Sequence, residues 1–145
     1  MTALSITKTQ VLPTAGHPTK QGTGDAAITP GQSVRFKPST GKWGLAQCDN
    51  DTIDAGEFGY GIALTECGAD GQPLVVALPD HTVTLGAGAA PAAGTVYFLG
   101  DTAGGLVPAG DLANPDKAVP VCLGVGSNKV KILTGAYDAG SIVPA

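Results

Sequence analysis

The chain has 145 residues and a formal net charge of −4, enough length for one domain with a sizeable core. An acidic balance speaks against a nucleic-acid partner, which needs a basic patch to displace counterions from phosphate. Charged residues make up 14% of the chain, against about 25% in ordinary soluble domains, so much of the exterior is Gly, Ala, Thr and Ser. Such a surface desolvates at low cost and fits either an assembling protein or a plain Thr/Gly-rich β protein.

The first 24 residues, MTALSITKTQVLPTAGHPTKQGTG, show no apolar period. A strand is conceivable over Leu4–Leu12, and two readings follow. One is a frayed terminus. The other is an extended arm whose apolar residues Leu4, Ile6, Val11 and Leu12 contact a neighbouring subunit or an assembly partner, adding a strand to its sheet edge. Such an arm reaches on the order of 80 Å when fully extended. Residues 1–25 are therefore expected to form an N-terminal extended arm and residues 26–145 a single β domain.

Beyond the arm, no window carries the i, i+3, i+4, i+7 recurrence of a helix of three turns. Short β-rich runs follow instead: Ser33–Lys37, Gly61–Thr65, Leu74–Leu78, Thr82–Leu85, Thr95–Leu99, Val119–Val125 and Lys129–Leu133. Several alternate. Val34 and Phe36 point away from Arg35 and Lys37, and Val130 and Ile132 away from Lys129 and Lys131. Turn residues separate the runs at Pro30-Gly31, Ser39-Thr40-Gly41, Asp70-Gly71, Pro79-Asp80 and Gly126-Ser127-Asn128. The pattern predicts an all-β fold, a small antiparallel β-sandwich or barrel with the N-terminal arm attached.

The segment YGIALTECGADGQPLVVAL is nearly bare of charge, so both faces of its strand pair must be covered, or one awaits a partner. Part of the cover is suggested by an internal echo. ITPGQSVRF, STGKWGLAQ and GYGIAL have counterparts in APAAGTVYF, TAGGLVPAG and VCLGVG. Two similar units, if the echo is not chance, could cover one another's apolar faces. Gly61 and Gly124 fit bulges or close backbone approach, since glycine weakens a strand.

The chemistry-bearing residues form no familiar constellation. Cys48, Cys67 and Cys122 are odd in number and far apart, which argues against a secreted disulfide framework. No basic and apolar leader opens the chain, so no signal peptide is expected. The uncharged interval His81–Gly100 contains Pro91 and no sustained Leu/Ile/Val run, so no membrane span is expected. His17 and His81 read as two unrelated surface histidines, and no metal site is expected. Asp49–Asp54 fails the calcium-loop spacing, because Ile53 takes a ligand place and Asp54 the required glycine. Phosphate-binding glycine patterns and a nucleophile elbow are missing, so neither a cofactor nor an enzymatic activity is expected. Phe36, Tyr60, Phe98 and Trp43 read most simply as core or hairpin packing, and of these Trp43, between Lys42 and Gly44 at a turn, is the one best suited to an interface.

Gly61-Ile62-Ala63, Gly71-Gln72-Pro73-Leu74-Val75-Val76, Gly94-Thr95-Val96-Tyr97-Phe98 and Leu123-Gly124-Val125, closing on a terminal Lys129–Leu133 strand, form a familiar succession. It resembles the capsid cement, or decoration, proteins of tailed bacteriophages over roughly Ala26–Leu133. The motifs are strand-and-turn patterns, and the chain departs from them in its proline-bearing arm and in Ala109–Lys117, so the outer contacts do not carry over. The resemblance implies a non-enzymatic protein, made in the host cytoplasm, that binds the major capsid protein on the outer face of the virion. It would sit at three-fold or quasi-three-fold positions as a homotrimer, without nucleic acid or membrane. The rival expectation is a β module of a tail or head fibre that binds a receptor or carbohydrate.

Overall fold

The computed structural model describes residues 4–37, 40–46, 60–100, 104–108, 117–118, 120–133 and 141–142. The strands are β1 (Thr19–Thr23), β2 (Ser33–Lys37), β3 (Lys42–Leu45), β4 (Tyr60–Ala63), β5 (Pro73–Ala77), β6 (Thr82–Thr84), β7 (Val96–Leu99), β8 (Leu106–Pro108), β9 (Lys117–Ala118), β10 (Pro120–Gly126), β11 (Lys129–Ile132) and β12 (Ser141–Ile142). Among the described residues the helical structure is one 3-10 turn at Lys8–Gln10. The fold is all-β and antiparallel, as the alternating runs predict.

Two five-stranded sheets carry the domain, in the orders β1-β5-β4-β2-β3 and β6-β11-β10-β7-β8, with β9 and β12 paired separately. Counted along the chain, each large sheet has its strands in the order first, fifth, fourth, second, third. The two sheets are copies of one topology, and the hydrogen bonds align them residue by residue. Gly31 N–H donates to Ala63 O at 2.8 Å, and Ala63 N–H donates to Gln32 O at 2.9 Å. In the second sheet Gly94 N–H donates to Gly124 O at 2.8 Å, and Gly124 N–H donates to Thr95 O at 2.9 Å. Both glycines occupy positive φ, 93° and 82°, in turns that only glycine enters without strain. The internal echo is therefore structural, but its alignment differs from the letters. Gly124 takes the place that Ala63 holds in the first sheet, and Cys122 the place of Gly61.

Each apolar face has a cover. Val34, Trp43, Ala63, Leu74 and Val76 line one face of the first sheet and form a core with Ile28 and Cys67. That sheet curls until its edges meet: Gly24, just past β1, bridges to Trp43 of β3, and Asp25 N–H donates to Trp43 O at 2.8 Å. Ile62 and Ala77 lie on the other face and, with Ala46 and Leu64, join Val83, Leu85, Tyr97, Leu99, Cys122, Val130 and Ile132 in the larger core. The strand pair β4–β5 is thus covered by its own curled sheet on one side and by the second sheet on the other. Arg35, on the face opposite Val34, is itself buried.

Gly124 shows why a strand keeps a glycine here, since a Cβ at that position would run into the Ala92 carbonyl. At Gly61 a Cβ would meet Ala77 O and the Val76 side chain. Both are sites of close approach, as the sequence suggests.

The amino-terminal segment is extended, with Thr7 and Val11 in extended backbone, but it lies along its own domain. Leu4 N–H donates to Leu106 O at 2.9 Å, on the β8 edge of the second sheet. Eight residues later Leu12 and Thr84 exchange two 2.9 Å hydrogen bonds on the β6 edge. The segment therefore straps one edge of the second sheet to the other, then continues as β1 into the first. A boundary at residue 25 does not separate an independent arm, because β1 pairs with β5 over Thr19–Thr23.

Candidate interaction surface

The five residues expected at an interface fall into three environments. Trp43 is 3% exposed and packs edge-to-face on Phe36, with ring centroids 5.3 Å apart. Its indole edge lies against Gly22, where a Cβ would come within 3.0 Å of it. The indole N–H has no hydrogen-bond partner among the described residues, a cost of about 1–3 kcal/mol that the burial of the ring outweighs. Val11 is buried, and Leu4 and Ile6 pack on the larger core. Leu12 alone of the five projects, at 57% exposure.

Sequence reasoning passed over Val125, which is 46% exposed. Register places it at the same end of the second sheet as Leu12, three strand spacings away. Leu12 stands opposite Thr84, Thr84 opposite Lys129 and Lys129 opposite Gly126, the neighbour of Val125. Four chain segments side by side span about 15 Å at the usual strand spacing. One end of the second sheet thus presents two exposed apolar side chains on either side of Lys129. The only signal in the sequence was the position of Val125 before a Gly-Ser-Asn turn. Ser127 and Asn128 both adopt positive φ, 54° and 61°, as a tight hairpin turn requires.

The remaining polar groups serve the fold. His17 and His81, expected to be unrelated, are brought together with ring centroids 5.2 Å apart, and His81 is fully buried. Both nitrogens of His81 contact backbone groups, Thr14 N at 3.0 Å and Pro18 O at 2.9 Å. Cys67 and Cys122 are free thiols in separate cores, and burial pushes the Cys122 thiol up to about 12. Among the described residues no three His, Cys, Asp or Glu side chains converge as a metal site, and no helix is long and apolar enough to cross a membrane. The loop Asp49–Asp54 and Cys48 lie outside the described residues.

A shallow groove beside β1 and β5 holds about 500 Å³ and is lined by Gln21, Gly22, Thr65, Glu66, Gln72 and Val75 among others. Thr65 Oγ1 accepts from Val75 N–H at 2.9 Å, and Gln72 Oε1 accepts from Gly68 N–H at 3.0 Å. Glu66 pairs with Lys8 of the strap at 3.2 Å. Its polar lining is largely engaged within the chain. Compared with family models, curated proteins and solved structures, the chain matches none.

Proposed function

We propose that this chain is a non-enzymatic decoration protein of a tailed-phage head. It binds the major capsid protein on the outer surface, at three-fold or quasi-three-fold positions, and acts as a homotrimer that ties neighbouring capsomers together. The observation that carries this reading is the succession of motifs from Gly61-Ile62-Ala63 to Leu123-Gly124-Val125 that resembles the cement family. Three features support it. The chain is poor in charge, exposed Leu12 and Val125 lie at one end of the second sheet, and the strap pairs with the β6 edge at Leu12 and Thr84, the kind of edge contact by which strands add to a neighbour. In a trimer each such patch need bind only modestly. Once the first contact forms, the others become intramolecular.

The deciding measurement is the copy number of this protein in purified virions, relative to the major capsid protein. A ratio near one-to-one, or one fixed by the icosahedral three-fold positions, is the expected result. A handful of copies per particle would transfer it to a tail or head fibre. Absence from virions would end the reading.

A further inference from the structure

The strap is fastened to the domain through two imidazoles, each of which offers a ring lone pair to a backbone N–H. Pro18 O lies 2.9 Å from His81 Nδ1; a carbonyl can only accept, so that nitrogen carries the ring proton. His81 Nε2 then accepts from Thr14 N–H at 3.0 Å. His17 Nδ1 accepts from Thr82 N–H at 3.1 Å. Thr14 Oγ1 adds a 2.6 Å bond to Thr82 O. Leu78 N–H also donates to Pro18 O at 3.1 Å, so of the five bonds joining strap and domain here three run through histidine nitrogens, and two of those need a lone pair on the ring.

We infer that His17 and His81 form a pH-sensitive clasp, which holds the strap on the second sheet at neutral pH and releases it in mild acid. A proton on His81 Nε2 would face the Thr14 N–H, and one on His17 Nδ1 would face the Thr82 N–H. Each replaces an acceptor with a second donor and strands a backbone N–H. Two cations would also stand about 5 Å apart, one of them in a fully buried ring.

The charged groups carried by the surrounding elements do not offset this. Asp80, in the turn before β6, and Lys131 of β11 lie 4.0 Å from one another. Lys20 of β1 lies over the Phe36 ring, and Lys129 stands opposite Thr84 on β11. Among the described residues no carboxylate is hydrogen-bonded or ion-paired to either imidazole.

Release frees both rings from the backbone donors that face them, so a ring proton no longer strands an N–H. The released state therefore takes up protons at lower cost than the clasped one, and acid favours release. Freed, the segment uncovers the β6 edge at Thr84 and the Leu106 carbonyl on β8, leaving strand edges open to another chain. The clasp is independent of the capsid reading.

Amide hydrogen exchange on the full chain, followed by NMR at pH 7.5, 6.5 and 5.5 and corrected for intrinsic rates, tests it. The Leu12 and Thr84 amides are expected to lose protection by at least about tenfold across that range, while those of Leu64 and Gly124 keep theirs. The double variant His17→Asn, His81→Gln keeps neutral acceptors and is expected to flatten the response. Unchanged protection at Leu12 and Thr84, an equal loss at Leu64 and Gly124, or an undiminished pH response in the double variant would each overturn the clasp. If the double variant does not fold, the imidazole resonances of the unmodified protein decide. They must titrate together with strap opening, and titration without opening overturns the proposal.

Discussion

Leu12 and Thr84 exchange a pair of 2.9 Å backbone hydrogen bonds, although 72 positions separate them in the chain. That exchange is a single antiparallel bridge that pins the strap to the β6 edge of the second sheet. Deleting residues 2–12 removes it together with buried Val11 but leaves β1 in place. The shortened chain is expected to fold with about 2–4 kcal/mol less stability, on the burial of Val11 and part of Leu4 and Ile6. Deleting residues 1–22 also removes most of β1 and should unfold the domain. A free arm would instead leave the core folded after that larger cut. Urea melts of both truncations check it, and a folded 1–22 deletion would show β1 to be dispensable.

Gly124→Ala should destabilise by about 1–3 kcal/mol, because the added methyl must displace the Ala92 carbonyl, a backbone atom with little freedom. Gly126→Ala meets no atom within 4 Å, yet its φ of 90° makes it costly as well. The two differ in what relieves them. Gly126→Asn should recover much of the loss, since asparagine tolerates left-handed backbone, whereas Gly124→Asn should be worse than alanine. Thermal melts of the four variants separate steric from conformational cost.

Cys122 is fully buried, and its thiol is pushed up to about 12 by desolvation. The folded state therefore holds a proton that the unfolded state releases above about pH 9. The sign follows: this contribution is intact below pH 9 and falls by roughly 1.4 kcal/mol per pH unit as the pH climbs from there toward 12. Cys122→Ala removes that dependence while costing stability at pH 7 through lost packing. Cys122→Ser should cost about 1–3 kcal/mol by burying a hydroxyl. Denaturant melts at pH 8, 9 and 10 report both effects, and a wild-type slope shared by the alanine variant would assign it to other groups.

Lys37 and Asp25 pair at 2.6 Å across Gly44, each about a quarter exposed. The pair sits where β3 and the end of β1 close the first sheet. Asp25→Asn should cost about 1 kcal/mol and lower the response to salt. Glu66→Gln breaks the Lys8–Glu66 pair, which is half exposed on both sides, and should cost no more than a few tenths of a kcal/mol. Melts at low and high ionic strength distinguish a pair that closes a sheet from one that only decorates it.

Much of the strand set was legible from local pattern. Ser33–Lys37 and Lys129–Ile132 alternate with period two and end in turn residues, and both are strands. The polar strand β1, with the sequence TKQGT, was not legible, because it holds no apolar residue and becomes a strand only through pairing with β5. Trp43, between Lys42 and Gly44, was open to core packing or to an interface from sequence alone, and curling of the sheet carries it inside. The echo of the two halves was visible as letters. Its true alignment was not, since hydrogen-bond pattern outlasts residue identity and makes Gly124 the counterpart of Ala63.

By itself, then, the sequence determined that this chain is all-β, with alternating runs, glycine turns and two glycines forced by close approach, because those are local properties of backbone and side chain. Tertiary structure decided what lies against what. It folded an apparent arm back as a strap, set Val125 in line with Leu12, and joined His17 to His81 across 64 positions. Those outcomes depend on which sheet edges meet in space, and edge pairing is made by backbone groups that every residue but proline carries alike.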